Sequence, residues 1–290
     1  MSEKLERVSL VIEKYLGDIF GKIRVYRDEN KFLIPWGATT IDIILFEENG
    51  EVFLDISSPV ALRVNPSKDL LKFLLSENAN LKMCAFFVEF EEGYLDIFLG
   101  IKIRYSDISR NTLEYILLNV GNLSNEYGRE IISVFGGLSL KEYIERKKSE
   151  FPFKGEKILK EEIEINGHKF ILEVYSEEEA YLLIGREEGK GEFIIRAKRY
   201  YKDAYEALKL LKEVKKALEN RNFITLRKFL NPFEVDFFKL YSLFVKKEDL
   251  KKLKQLEEEI NKLPELLITG QISYEDYKKR IKNIEKEIGL

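Results

Sequence analysis

The apolar residues of this chain change their repeat several times along its first half, and that change is what most limits the fold. Leu5, Val8, Ile12, Tyr15 and Ile19 fall at three- and four-residue spacing, which lines one face of an amphipathic helix. Strand-like runs follow: Ile23-Arg24-Val25-Tyr26, then Phe32-Leu33-Ile34-Pro35-Trp36-Gly37, then Thr40-Ile41-Asp42-Ile43-Ile44-Leu45-Phe46. Asn49-Gly50 is tight-turn chemistry and leads into Glu51-Val52-Phe53-Leu54-Asp55-Ile56. The helical period returns through Leu70, Leu71, Phe73, Leu74 and Leu75, with Ser67 placed to cap it. Two more strands, Lys82 to Phe90 and Tyr94 to Arg104, are joined by Glu91-Glu92-Gly93. Leu113, Ile116, Val120, Leu123, Tyr127 and Ile131 then predict a long helix over Arg110 to Val134, stopped at Gly136-Gly137, residues suited to a left-handed helix end. The expected order is α-β-β-β-α-β-β-α. An α+β domain follows, with a twisted, mostly antiparallel sheet and helices packed against it.

The second half reads as two further pieces. Phe151-Pro152-Phe153, inside the charged stretch Lys141 to Lys154, suggests a boundary. Beyond it, Asn166-Gly167 separates Glu161-Glu162-Ile163-Glu164-Ile165 from His168-Lys169-Phe170-Ile171-Leu172-Glu173-Val174, a strong hairpin signal. Tyr181 to Ile184 and Phe193 to Lys198 form a second hairpin, and Ala204, Ala207, Leu208, Leu211, Val214 and Leu218 mark a helix face. The result is a small ββββα domain. The remainder is helical: Leu253, Leu256, Ile260 and Leu263 make one seam and Tyr274, Tyr277, Ile281, Ile284 and Ile288 another, each too short to be stable alone. Ser273 with Asp276 has the form of a capping box, Asp standing where Glu is usual. The expected limits are 1–148, 155–222 and 223–290, the last a helical tail.

Chemistry is sparse. The 290 residues hold one histidine, His168, and one cysteine, Cys84, so most metal sites and nucleophilic triads cannot be assembled from them. Cys84 lies in Met83-Cys84-Ala85-Phe86-Phe87-Val88 and reads as a small buried hydrophobe. His168, beside a two-residue turn, pairs with Ile165 and reads as a partly buried structural residue. Gly185-Arg186-Glu187-Glu188-Gly189-Lys190-Gly191 falls one residue short of a phosphate-binding P-loop, and a strand follows it instead of a helix, so it reads as a glycine turn. Acidic runs such as Glu161-Glu162, Glu187-Glu188 and Glu257-Glu258-Glu259 stand beside lysines, as solvated faces do. Trp36, between Pro35 and Gly37, reads as a packing residue at a strand end.

Charge narrows the partners. Lys and Arg number 48 against 51 Asp and Glu, and the net charge of -3 opposes a protein dominated by nucleic-acid backbone contacts. The best nucleic-acid candidates are Arg196, Lys198 and Arg199, interleaved towards Lys202 with Tyr200 and Tyr201. Abundant Lys and Glu with two Met fits a thermophile. A single cysteine fits a reducing cytosol, and the N-terminal residues, mixing acids and bases, contain no membrane span or signal peptide; a cytoplasmic protein with no cofactor is expected.

Two resemblances add to this. Leu70-Leu71-Lys72-Phe73-Leu74-Leu75-Ser76-Glu77-Asn78, then Ala85-Phe86-Phe87, then a long helix ending Val134-Phe135-Gly136-Gly137 resemble the YbjN and type III secretion chaperone-like family over residues 1–145. That resemblance implies a chaperone-like fold and a protein-binding role. Leu263, Leu267 (displaced by one position), Gly270, Ile272, Ser273, Glu275 and the aromatic Tyr277 resemble the SHOCT module, a short helical piece, which implies oligomerisation or docking. On this reading Leu253, Leu256, Ile260, Leu263, Tyr274, Tyr277, Ile281 and Ile284 contact another protein or a second copy in a homo-oligomer such as a dimer. The expected function is a non-enzymatic, chaperone- or adaptor-like protein-binding module. The alternatives are nucleic-acid binding through Arg196 to Lys202, or an enzyme with a carboxylate-based site. The aromatic residues Phe229, Phe233, Phe237, Phe238, Tyr241 and Phe244 read as core, with an exposed partner-binding patch as the other option.

Overall fold

A computed structural model describes residues 2–28, 30–149, 156–165, 167–177, 180–189, 193–199, 204–222 and 249–288, with Leu226, Ser242 and Val245. The aromatic residues from Phe229 to Phe244 lie outside the described residues. The chain divides into two compact units, residues 1–150 with 260–290, and residues 151–259. Both are built of strands and helices, and the fold is α+β.

The first unit is a six-stranded antiparallel sheet in the order β1-β2-β3-β4-β6-β5. Its strands are β1 (Tyr26–Asp28), β2 (Lys31–Trp36), β3 (Thr39–Glu48), β4 (Glu51–Val64), β5 (Ala85–Glu91) and β6 (Tyr94–Arg104). Four strands precede the second helix, one for each strand-like run of the sequence and one more than the expected order α-β-β-β-α-β-β-α counts. The first run departs from expectation at Ile23-Arg24-Val25, and strand begins only at Tyr26. Lys22–Arg24 is a single 3-10 turn and leaves only three residues for β1. Polar anchoring outweighs alternation there. Arg24 is buried and donates to the carbonyls of Pro35 and, at 3.0 Å, Ile260, which holds the backbone in a turn.

Ile43 lies opposite Ile56, and Ile56 opposite Ile101, so β3, β4 and β6 turn one apolar face to the helices. That face is covered by α1 (Glu3–Phe20), α2 (Lys68–Asn80) and α3 (Arg110–Phe135). Each starts at a serine whose hydroxyl accepts from a backbone N–H three residues on: Ser2, Ser67 and Ser109. Close approach requires glycine at Gly121 in α3, where an added Cβ would lie 2.6 Å from Trp36 Cδ1. A further helix, α4 (Leu140–Ser149), occupies the charged stretch expected to be only a boundary. Its capping box closes on itself, with Ser139 N and Oγ both donating to Glu142 and Glu142 N donating back.

The C-terminal residues, expected to be a helical tail, group from Ile260 onward with the first unit. Helix α6 (Leu250–Ile268) is followed by α7 (Tyr274–Ile288), which starts at the predicted Ser273–Asp276 capping box, whose side chains meet at 2.7 Å. It buries Tyr277, Ile281, Ile284 and Ile288 within the first unit. Gly21, which ends α1 at φ 87°, would bring a Cβ within 2.1 Å of Ile281 Cγ2, so that position needs glycine twice over. Residues 260–290 thus group with the N-terminal unit, across the expected limit at 222.

The second unit has the expected ββββα order: β7 (Glu156–Ile165), β8 (His168–Glu177), β9 (Ala180–Glu187), β10 (Phe193–Arg199) and α5 (Ala204–Glu219). Its antiparallel sheet runs β10-β9-β8-β7. Leu211, Val214 and Leu218 of α5 are buried, as are Phe170, Leu172 and Val174 of β8. His168 pairs with Ile165 beside the turn as expected, but it is exposed rather than partly buried, while Ile165 is buried. The glycine stretch after β9 is a turn at Glu188-Gly189 between two strands of one sheet.

Candidate protein-binding surface

The outermost strand of the first sheet, β5, carries the most exposed apolar surface of that unit. Ala85 to Glu91 contains Phe86, Phe87, Val88 and Phe90, so apolar side chains fall on both faces of the strand. On the covered face Phe86 is buried, edge-on to Tyr127 of α3 with ring centroids 5.0 Å apart. On the opposite face Phe87 stacks on Phe98 of β6 at 5.3 Å. Beyond these anchors the strand is open: Phe87 and Val88 are each 40% exposed and Phe90 is 69% exposed. Helix α2 adds Leu71 at 43% and Leu75 at 72%.

Helix α2 is built to meet β5. Its predicted apolar face splits, so that only Leu70 and Leu74 are buried while Leu71 and Leu75 point outward. Glu77 Oε2 accepts from the Tyr127 hydroxyl at 2.7 Å, and burial together with that carboxylate pushes the Tyr127 phenol up to about 12. One residue on, Asn78 reaches the edge itself. Its Oδ1 accepts from Phe86 N at 2.6 Å and its Nδ2 donates to Phe86 O at 3.1 Å. Asn78 is therefore paired with Phe86 as a neighbouring strand would be. In an antiparallel ladder the backbone groups of alternate residues point the same way. Those of Val88 and Phe90 accordingly point, like those of Phe86, to the side away from β6.

Charge completes the surface. Glu89, Glu91 and Glu92 follow one another along the strand and its turn, all exposed. An open edge of this length and apolar content is a template for pairing with another chain, and proteins that have no use for one generally cover it or place lysines on it.

The seam residues expected to bind a partner have internal roles. Ile260, Leu263, Tyr277, Ile281 and Ile284 are buried in the first unit and Leu253 in the second; Leu256 and Tyr274 are half-buried. The hydroxyls of Tyr274 and Tyr277 donate to the carbonyls of Ile19 and Phe20 at the end of α1. Their apolar spacing serves intramolecular docking. Arg196, Lys198 and Arg199 lie on β10, opposite Ile184, Leu182 and Tyr181, and their side chains are outside the described residues. Cys84 is half-buried against the cluster around Phe86, and burial pushes its thiol up. Among the described residues no group of three or more His, Cys, Asp or Glu is placed to hold a metal ion.

Glu173 of β8, with a side chain 1% exposed, lies 2.5 Å from Lys157 Nζ and 3.0 Å from Arg186 Nη2. Burial pulls its pKa up, but the two cations pull harder and hold it below the usual carboxylate range. That is the pattern of a structural ion pair.

The sequence led to the expectation of an exposed sheet face or helix-lined groove with edge strands available for backbone pairing, without singling out β5. Its signal was present in Phe86-Phe87-Val88-Glu89-Phe90, where apolar residues break the strict alternation of a half-buried strand.

No family model matches the chain. It is 60% identical over 243 residues to an uncharacterized protein of Aquifex aeolicus (strain VF5), which covers 84% of this chain and 99% of that protein. The chain belongs to one family with that protein.

Proposed function

We propose that this chain is a non-enzymatic, chaperone- or adaptor-like protein-binding module whose working surface is the outer edge of β5. The observation that carries this reading is the split use of that edge. Asn78 occupies the backbone of Phe86, while Val88 and Phe90 turn the same groups outward beside exposed Phe87, Leu71 and Leu75. The occupant is an extended segment of another protein that adds a strand, its backbone supplying hydrogen bonds and its side chains the specificity. Glu89 and Glu91 ask for lysine or arginine on that segment, with apolar residues opposite Val88 and Phe90.

A second copy of the chain fits this edge poorly. Setting Val88 opposite Phe90 in an antiparallel pair puts Glu89 directly against Glu89, and like charges opposite one another destabilise a pair. Centring on Phe90 puts Glu89 against Glu91. Centring on Val88 requires Phe86, whose groups Asn78 already holds. A heterologous partner escapes all three conflicts.

The element order and the Leu70–Asn78 segment support a chaperone-like relation, and Asn78 gives the last residue of that motif a structural role. Among the described residues no helix is long and apolar enough to cross a membrane. We place the protein in the cytoplasm, a compartment its single cysteine suits.

The test uses a synthetic peptide of alternating lysine and valine against the intact chain, with an alternating glutamate and valine peptide as control. The lysine peptide should bind, and Val88→Pro, which removes an outward N–H without breaking a bond to β6, should abolish binding while leaving the melting temperature unchanged. Equal binding of both peptides, or of the lysine peptide to both proteins, would contradict the reading.

A further inference from the structure

Two opposite charges, Arg129 of α3 and Glu265 of α6, line one cavity of the first unit without pairing with each other. Both are exposed, and among the described residues neither belongs to an ion pair. Each has a charge of the opposite sign three residues earlier on its own helix, Glu126 for Arg129 and Lys262 for Glu265, and neither of those pairs forms. The third ionic residue of the lining, Glu142, is engaged within the protein. Its Oε2 accepts from Ser139 N and from Ser139 Oγ, each at 2.8 Å. Those two bonds, and then the nearby Arg146, hold its carboxyl below the usual carboxylate range.

The cavity has a volume of about 450 Å³, which suits a small molecule. Its walls are held by bonds inside the protein. Thr39 Oγ1 donates to the carbonyl of Pro59, and Ser133 Oγ to that of Glu130. Asn125 accepts from Ala38 N and donates to the carbonyls of Trp36 and Gly121. Ser124 Oγ has no partner, but it is sealed from solvent and so lies out of a ligand's reach. At Gly128, α3 lies so close to β4 that an added Cβ would stand 2.7 Å from the carbonyl oxygen of Val60. Val60, Ile132 and Leu140 give the lining its apolar part. A free cation and a free anion beside an apolar wall match a molecule that carries both charges at one end and hydrocarbon at the other. We propose that this cavity binds a free aliphatic α-amino acid. The ligand's carboxylate meets the Arg129 guanidinium, whose fork suits two oxygens, and its ammonium meets Glu265. Its side chain lies against Val60, Ile132 and Leu140. None of the lining residues belongs to β5 or α2, so the site is independent of the β5 docking surface.

The experiment titrates L-leucine, isocaproate and isoamylamine into the full chain by calorimetry at low salt. Isocaproate is leucine without its ammonium group, and isoamylamine is leucine without its carboxylate. Leucine should bind about tenfold or more tightly than either fragment. Arg129→Gln should weaken leucine about tenfold and leave isoamylamine unchanged. Glu265→Gln should weaken leucine by a similar factor and leave isocaproate unchanged. Both side chains are exposed and unpaired, so each variant should keep the parent's melting temperature, which separates loss of the ligand from loss of the fold. Leucine binding no tighter than the better of its two fragments overturns the proposal and leaves a plain amine or acid site. Absence of binding by every probe, or leucine binding indifferent to either variant, overturns it as well.

Discussion

Tyr277 stands edge-on to Trp36, ring centroids 5.6 Å apart, and donates its hydroxyl to the carbonyl of Phe20 at 3.2 Å. Phe20 meets the other side of the relation, edge-on to Trp36 at 5.2 Å, and all three side chains are fully buried. Trp36 in turn donates from Nε1 to Asn122 Oδ1 at 2.9 Å. One aromatic cluster thus joins α1, β2, α3 and the C-terminal helix.

That cluster predicts how much the C-terminal helix contributes to stability. Tyr277→Ala removes a large buried ring and should cost about 3–5 kcal/mol in chemical denaturation. Tyr277→Phe keeps the ring and loses one hydrogen bond, and should cost about 1 kcal/mol. A helix that served only to bind another copy would leave the stability of the isolated chain unchanged in both variants.

Asn78→Ala should release the β5 edge at Phe86. Two side-chain-to-backbone bonds are lost, for a cost of about 1–2 kcal/mol. The Phe86 amide should then exchange with solvent as fast as that of Val88, measured by amide hydrogen exchange. It should remain slower if β5 is held by something other than Asn78.

Asp42 sets a pH dependence. Its Oδ1 is sealed from solvent without a hydrogen-bond partner, and burial pushes its carboxyl up to about 6, against smaller opposing pulls from Thr40 and Lys31. The folded state therefore holds a proton that the unfolded chain has released, and stability from this group falls as pH rises from about 4 to 6. Asp42→Asn should leave stability unchanged at pH 4 and raise it by about 1–3 kcal/mol at pH 8. Denaturation curves at the two pH values check the sign, which is opposite for a carboxylate stabilised by an ion pair.

Much of the architecture was legible because periodicity reports directly on backbone geometry. Ser67 and the Ser273–Asp276 box cap the helices they were expected to cap, and Ile165 pairs with His168 across the predicted turn. What periodicity cannot report is what an apolar face meets. Tyr277, Ile281 and Ile284 would have the same spacing on an intermolecular seam as they have against the end of α1. Likewise Leu71 and Leu75 continue a helical pattern in the sequence, yet α2 lies so that only Leu70 and Leu74 face inward. The left-handed backbone of Arg63 in β4, at φ 58°, left no sequence signal either, since arginine is not a residue that marks it.

On the proposed function, β5 takes up an extended, basic segment at Val88 and Phe90. The most direct test is residue-resolved amide exchange of the intact chain, alone and with the alternating lysine and valine peptide. Val88 and Phe90 should exchange fast in the free protein and slow strongly with peptide, while Phe86 is protected in both. Protection of Val88 and Phe90 before any peptide is added, or no change on adding it, would contradict the claim.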